Sequence, residues 1–277
     1  MRYLIPVYFL FIILALSCQS KVKEATASGG TKDSLGIKAK ENVDDEGYTI
    51  DEEYYKVDPA DSAYHAFRIE IATPPYGLCK IEELIKKIEF VTDDNYEEIA
   101  AMNDSAYTPL TFREKFTYHM IHPESYSQIC DYIPPPKKAS EKVFAYLPEL
   151  FSEYNWSERQ RKFVKDNRDS VMFLIKESAL RSKRIKLNYK QAIVEANATE
   201  MIPFLIEIYN TDSKDGDILT VLLRLMREGK YKPFVLSPLH KKLYNNEENF
   251  DSYIDLTDET RDLIIKWAND FYNESQN

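Results

Sequence analysis

Glycine is the scarcest structural resource of this chain: seven occur in 277 residues, and only Gly77, Gly216 and Gly229 follow Gly47. Sheet proteins with many tight turns draw on glycine for positive backbone dihedrals, and phosphate-cradling loops need it so that the backbone can approach the anion. The scarcity argues against both and for helices joined by short polar loops. No HExxH, GxSxG, Walker loop or dinucleotide fingerprint is present, so no motif singles out a catalytic group; a carboxylate pair assembled by tertiary contact stays invisible at this level. No apolar run reaches the roughly 20 residues of a membrane-spanning helix. The longest, Tyr3 to Leu16, contains Pro6 and soon gives way to Gln19, Ser20 and Lys21. An excess of base is also missing: the net charge is −10, which argues against nucleic acid as a partner.

The charge that is present is uneven. Glu41 to Asp61 carries nine acids against Lys56, and Arg159 to Lys190 carries eleven bases against Asp166, Asp169 and Glu177. Such runs are ordinarily solvated faces; the sharper expectations are that the acidic stretch covers the basic one, or that the basic face meets an anionic partner.

The expected fold is all-α: an irregular helical bundle with at most one short strand or extended segment near 66–72, where Ala66-Phe67-Arg68-Ile69-Glu70-Ile71 partly alternates,. Helical spacing places Leu78, Ile81, Leu84, Ile85 and Ile88 on one stripe,. Short helices are expected over Asp94–Met102, from the Thr111 cap to Met120, and over Ala139–Phe151. Ser157 and Gln160 fit a capping box at the start of a helix to Asp166,. Val171–Ile175 is apolar at five successive positions, so the helix Asp169–Arg184 is expected to be central. Tyr189–Asn197, Thr199–Asn210 and Asp217–Glu228 follow, and residues 199–228 resemble a single HEAT-type helix pair, an implied stacking surface. Asp258–Tyr272 closes the chain with Leu263, Ile264, Trp267 and Phe271 on one face. Pro134-Pro135-Pro136 is a stiff connector that suggests an N-terminal helical subdomain over 51–133 and a C-terminal one over 137–277.

The N-terminus carries a more specific signal. Arg2, the apolar run and Ala15-Leu16-Ser17-Cys18 resemble a bacterial lipoprotein signal peptide ending in a lipobox. The resemblance implies cleavage after residue 17, acylation of Cys18 with palmitate or a similar chain, and attachment to the membrane through that lipid. Gln19, where an aspartate marks inner-membrane retention in these lipoproteins, implies the outer membrane; the periplasmic and surface faces both remain open. Residues 18–50, polar and holding four of the seven glycines, then read as a lipidated flexible tether, since so little apolar area cannot offset the entropy of ordering.

Few side chains beyond Cys18 suggest a site. Cys79 and Cys130 could pair in an oxidising envelope, closing a loop worth on the order of 4 kcal/mol, or stay buried thiols. His119 and His122, three apart, could share a helix face and ligate a metal, but Pro123 ends the helix there; histidines hydrogen-bonded at a junction are the simpler expectation, and neither a metal nor another cofactor is expected. The expected binding face is Tyr154 to Arg168, where Tyr154 and Trp156 stand beside Arg159, Arg161, Lys162 and Lys165, an aromatic–arginine combination common at interfaces. The functional expectation is an envelope lipoprotein that binds a protein or glycan partner. A toxin-neutralising, immunity-type lipoprotein and a hydrolase of an envelope polymer are the alternatives.

Overall fold

The computed structural model describes residues 57–92, 98–126, 136–151, 153–245 and 252–276. Expectations for the signal segment, Cys18, the tether, Cys130 and Pro134-Pro135 fall outside the described residues. The fold is mainly α, and among the described residues no helix is long and apolar enough to cross a membrane.

Helix α1 (Pro59–Ile69) starts at Asp58, whose carboxylate accepts the Ala60 N–H, with Pro59 in the first turn,. The alternation at 66–71 is therefore helical as far as Ile69, and the chain is extended only from Glu70. The pattern misleads because α1 buries two charged residues, Asp61 and Arg68, rather than an apolar stripe. The extended stretch is pinned by Asn188, whose amide exchanges hydrogen bonds of 2.8–2.9 Å with the backbone of Ala72.

Helix α2 (Leu78–Ile85) follows Gly77, which adopts a left-handed conformation with φ of 66°, and α3 (Asp104–Tyr107) is a single turn capped by Asn103. Helix α4 (Phe112–Ile121) opens with a full Thr111/Glu114 capping box,. Its Tyr118 joins Ile81, Met102 and Leu110 in a small satellite core.

The expected helix over 94–102 is not formed in its described part. Glu98–Ile99 is instead strand β2, between β1 (Val91–Thr92) and β3 (Ser125–Tyr126), with β5 (Tyr154–Asn155) beyond in an antiparallel sheet. Ala139–Phe151 is not a helix either. A 3₁₀ turn at Ala139–Glu141 leads into β4 (Lys142–Phe144), which pairs with β6 (Tyr253–Asp255). Val143 and Phe144 suit a pleated, half-covered surface, and cross-strand pairing overrides the local helical pattern.

From Ser157 the helices run almost without interruption: α5 (Glu158–Asp166), α6 (Arg168–Ser182), α7 (Leu187–Glu195), α8 (Ile202–Thr211), α9 (Asp217–Glu228), the short α10 (Lys232–Val235) and α11 (Pro238–Leu243), and α12 (Asp258–Ser275). The five residues between α8 and α9 turn the chain back, so that the two helices pack together. Each buries an apolar stripe at helical spacing: Ile202, Leu205, Ile206 and Tyr209 on α8, and Ile218, Val221, Leu222, Leu225 and Met226 on α9. Helix α9, not α6, is the central one. It buries Leu219, Thr220 and Leu223 as well and is covered by α7, α8, α10, α12 and β4, whereas Phe173 of α6 is 60% exposed. The main core takes Phe116 and Met120 together with Val143, Leu222 and Ile264, so the segments on either side of the proline run share one core.

Packing, not backbone freedom, fixes Gly229. Its φ is −75°, and the left-handed residue that ends α9 is Lys230, at φ 53°. A Cβ on Gly229 would lie 2.3 Å from Phe271 Cζ and 2.8 Å from its Cε2, so the helix end passes directly beneath the α12 ring. Gly229→Ala should cost about 1–3 kcal/mol as an overpacked contact, read by urea denaturation. Phe271→Leu should restore part of that loss in the double variant; strictly additive losses would mean that the two do not touch.

Candidate functional site

The sequence candidates on α4 and around Trp156 converge on one knot, with members that sequence reasoning did not single out. Helix α4 ends at Ile121 because Pro123 cannot continue it, and His122 is extended. This turns Glu124 inward, 1% exposed, against the start of α5. Its carboxylate accepts from Tyr118 Oη (2.7 Å), Ser157 Oγ (2.5 Å) and Arg159 Nη2 (2.5 Å). Arg159 also donates to the Met102 carbonyl and stacks on the Tyr107 ring at 4.4 Å. Gln160 closes the ring: its Oε1 accepts from the Glu124 and Ser157 N–H groups, and its Nε2 donates to the His122 carbonyl.

Burial alone would raise the Glu124 pKa, but hydrogen bonds from Arg159, Ser157 and Tyr118, with the charge of Arg159, hold it below the ordinary carboxylate value,. Burial pushes the His119 pKa down to about 3, against a smaller upward pull from Glu124, so its imidazole is neutral at physiological pH. Its Nε2 lies 2.8 Å from Tyr107 Oη, and its Nδ1 is buried without a hydrogen-bond partner among the described residues. His122 Nε2 sits 2.6 Å from the Ala100 carbonyl oxygen. Both histidines thus make hydrogen bonds where the end of α4 meets the Ala100 and Tyr107 segments. Among the described residues no group of three or more His, Cys, Asp or Glu is arranged to hold a metal ion.

Trp156 does not head a binding face. It is 3% exposed, and its indole N–H donates to the His119 carbonyl at 2.8 Å. The bases beside it are engaged: Arg159 on Glu124, Arg161 and Lys165 on Glu195, and Lys162 on Asp166, while Tyr154 packs edge-on to Tyr126. The basic run continues in this way. Arg168 pairs with Glu200, Arg181 with Glu177, Arg184 and Lys186 with Glu70, and Lys190 with Asp215. Carboxylates drawn from other elements cancel most of this charge internally. Cys79 is exposed at the start of α2.

A second cluster carries no sequence motif at all. Lys190 is fully buried, 2.5 Å from Asp215 Oδ1 and 3.9 Å from Asp217 Oδ2. On the other side of Asp217 sits Arg68 of α1. Burial, opposed by Lys190, raises the Asp215 pKa; burial first, then the charge of Asp217, lifts Tyr64 to about 12. The ion-paired partners lie 25 and 149 positions apart in the chain, so only a residue-type anomaly, a lysine three residues from both Leu187 and Ile193 on α7, could have pointed to them.

An open groove of about 290 Å³ lies between α11, β6 and the start of α12, lined by Pro238, Leu239, Lys242, Ile254, Asp255, Thr257 and Thr260. Both charged knots, by contrast, are filled by the chain's own side chains. The Ser157 hydroxyl, for instance, caps α5 through the Gln160 N–H while donating to Glu124. The arrangement therefore fixes elements against one another. No protein-family model, curated relative or solved structure matches the chain.

Proposed function

We propose that the protein is an outer-membrane lipoprotein whose helical domain works by binding another protein. The observation that carries the reading is the N-terminal order of Arg2, an apolar run and Ala15-Leu16-Ser17-Cys18, followed by a polar, glycine-bearing stretch ahead of the first described helix,. Binding is favoured over hydrolysis by the outer face of α6. Phe173 and Leu180, 60% and 61% exposed, are seven residues apart and so share one face,, and Lys176 and Lys183 flank Leu180 in sequence. Exposed apolar side chains on one helix face, with Lys176 and Glu177 between them in sequence, suit a partner that offers an apolar anchor set among polar groups,.

Radiolabelled palmitate should enter the wild-type protein and not Cys18→Ser, and the variant should leave the membrane fraction. Equal labelling, or unchanged partition of the variant, would remove the anchor. For the binding half, Phe173→Ser with Leu180→Ser should abolish in-cell crosslinking to the partner without lowering thermal stability; crosslinks that survive would place recognition elsewhere.

A further inference from the structure

Helix α1 is docked in an unusual way. Its buried side chains are Asp61 and Arg68, and among the described residues none of its side chains belongs to either apolar core or packs against one. Two arginines hold its C-terminal half: Arg184 donates to the Phe67 carbonyl and stacks on the Phe67 ring, and Arg68 is a fitted cation. Arg68 Nε donates to Asp217 Oδ1 and Oδ2 at 3.1 and 3.2 Å, and Nη2 donates to Oδ1 at 2.9 Å. The guanidinium carbon lies 4.2 Å from the Phe144 ring centroid. A carboxylate meeting the planar fork and an aromatic face beneath it is the chemistry that distinguishes guanidinium from ammonium.

The socket is built without α1. Asp217 is the first residue of α9 and Phe144 the last of β4, and the two elements are tied by Thr220 Oγ1 donating to the Phe144 carbonyl at 2.9 Å. Behind the fork, Asp215 is 2% exposed, and its Oδ2 has no hydrogen-bond partner among the described residues, while its Oδ1 takes the Lys190 ammonium. Two carboxylates against one lysine leave the socket with one uncompensated negative charge once Arg68 is taken away. The rest of α1 is tied down mainly by polar contacts, with Asp61 accepting the Lys138 and Ala139 N–H groups and Arg184 donating to the Phe67 carbonyl, and such contacts can be replaced by a competing cation and water,.

We propose that this socket is a guanidinium-recognition site closed in cis by α1, and that its ligand when α1 lifts is an arginine side chain of a partner polypeptide. The inference is independent of whether Cys18 is lipidated. It is tested on the full chain with Arg68→Ala and with N-ethylguanidinium and N-acetyl-arginine amide as probes. Arg68→Ala should lower the thermal midpoint, and both probes at millimolar concentration should restore it saturably. Ethylammonium or sodium chloride at the same concentration should not, and adding Asp217→Asn should abolish the recovery. In the wild-type protein, N-ethylguanidinium should speed amide hydrogen exchange in α1 severalfold more than ethylammonium does. This second readout stands even if Arg68→Ala does not fold. Equal responses to guanidinium and ammonium probes, or none to either, would reduce the Arg68–Asp217 pair to an internal strut and overturn the proposal.

Discussion

Lys190→Met should be among the most damaging single substitutions in the domain, costing about 3–5 kcal/mol in urea denaturation at neutral pH, the usual penalty for leaving a buried charge without its partner. Lys190 is fully buried and supplies the ammonium at Asp215 Oδ1, while Asp215 Oδ2 has no hydrogen-bond partner among the described residues. Removing the lysine leaves the carboxylate buried and uncompensated. The loss should shrink in acid. Asp215 already has a raised pKa in the folded state, so folding favours its protonated form, and that advantage is present at low pH and lost as the pH rises through the folded value. Lys190→Met combined with Asp215→Asn should recover most of the stability, because replacing both partners of a buried pair is far cheaper than replacing one. Equal losses in the single and double variants would show that volume, and not charge, sets the cost.

Glu124→Gln should cost about 3 kcal/mol, near the lower end of the same range because the Arg159 side chain keeps some solvent contact,. The wild-type carboxylate accepts from three side chains, and a glutamine would turn an NH₂ toward groups that themselves donate,. Linkage gives the sign of the pH dependence. The folded pKa of Glu124 is lowered, so its contribution is complete above the ordinary carboxylate value of roughly 4.3 and is lost as the pH falls through the folded value. Stability measured from neutral pH into acid should therefore fall more steeply in the wild-type protein than in Glu124→Gln. Parallel curves would mean that Glu124 is not held ionised by Arg159.

What the sequence discloses and what it conceals divide along physical lines. Local information is legible: the Thr111 cap and the Ser157/Gln160 capping box form as spaced, the apolar stripes of α8 and α9 are buried, and few glycines accompany a mainly helical fold. Periodicity fails where the buried face is not apolar, as in α1, whose inward residues are Asp61 and Arg68. It fails again where cross-strand partners outweigh short-range preference, as at Lys142–Phe144, which pairs with a strand more than a hundred residues later. Aromatic and basic composition around Trp156 resembles an interface, yet the same composition serves a packed junction once Glu124, Glu195 and Asp166 come within reach. The Arg68 socket was hidden for the most general reason. Its carboxylate lies 149 positions from its arginine, and no spacing rule spans such a distance.

The reading of this chain as a lipid-anchored domain is tested most directly by intact-mass analysis of the protein extracted from membranes. The mature species should lack Met1 to Ser17 and carry the added mass of acyl chains on Cys18. A chain that retains Met1 and shows no mass beyond its own sequence would contradict the account.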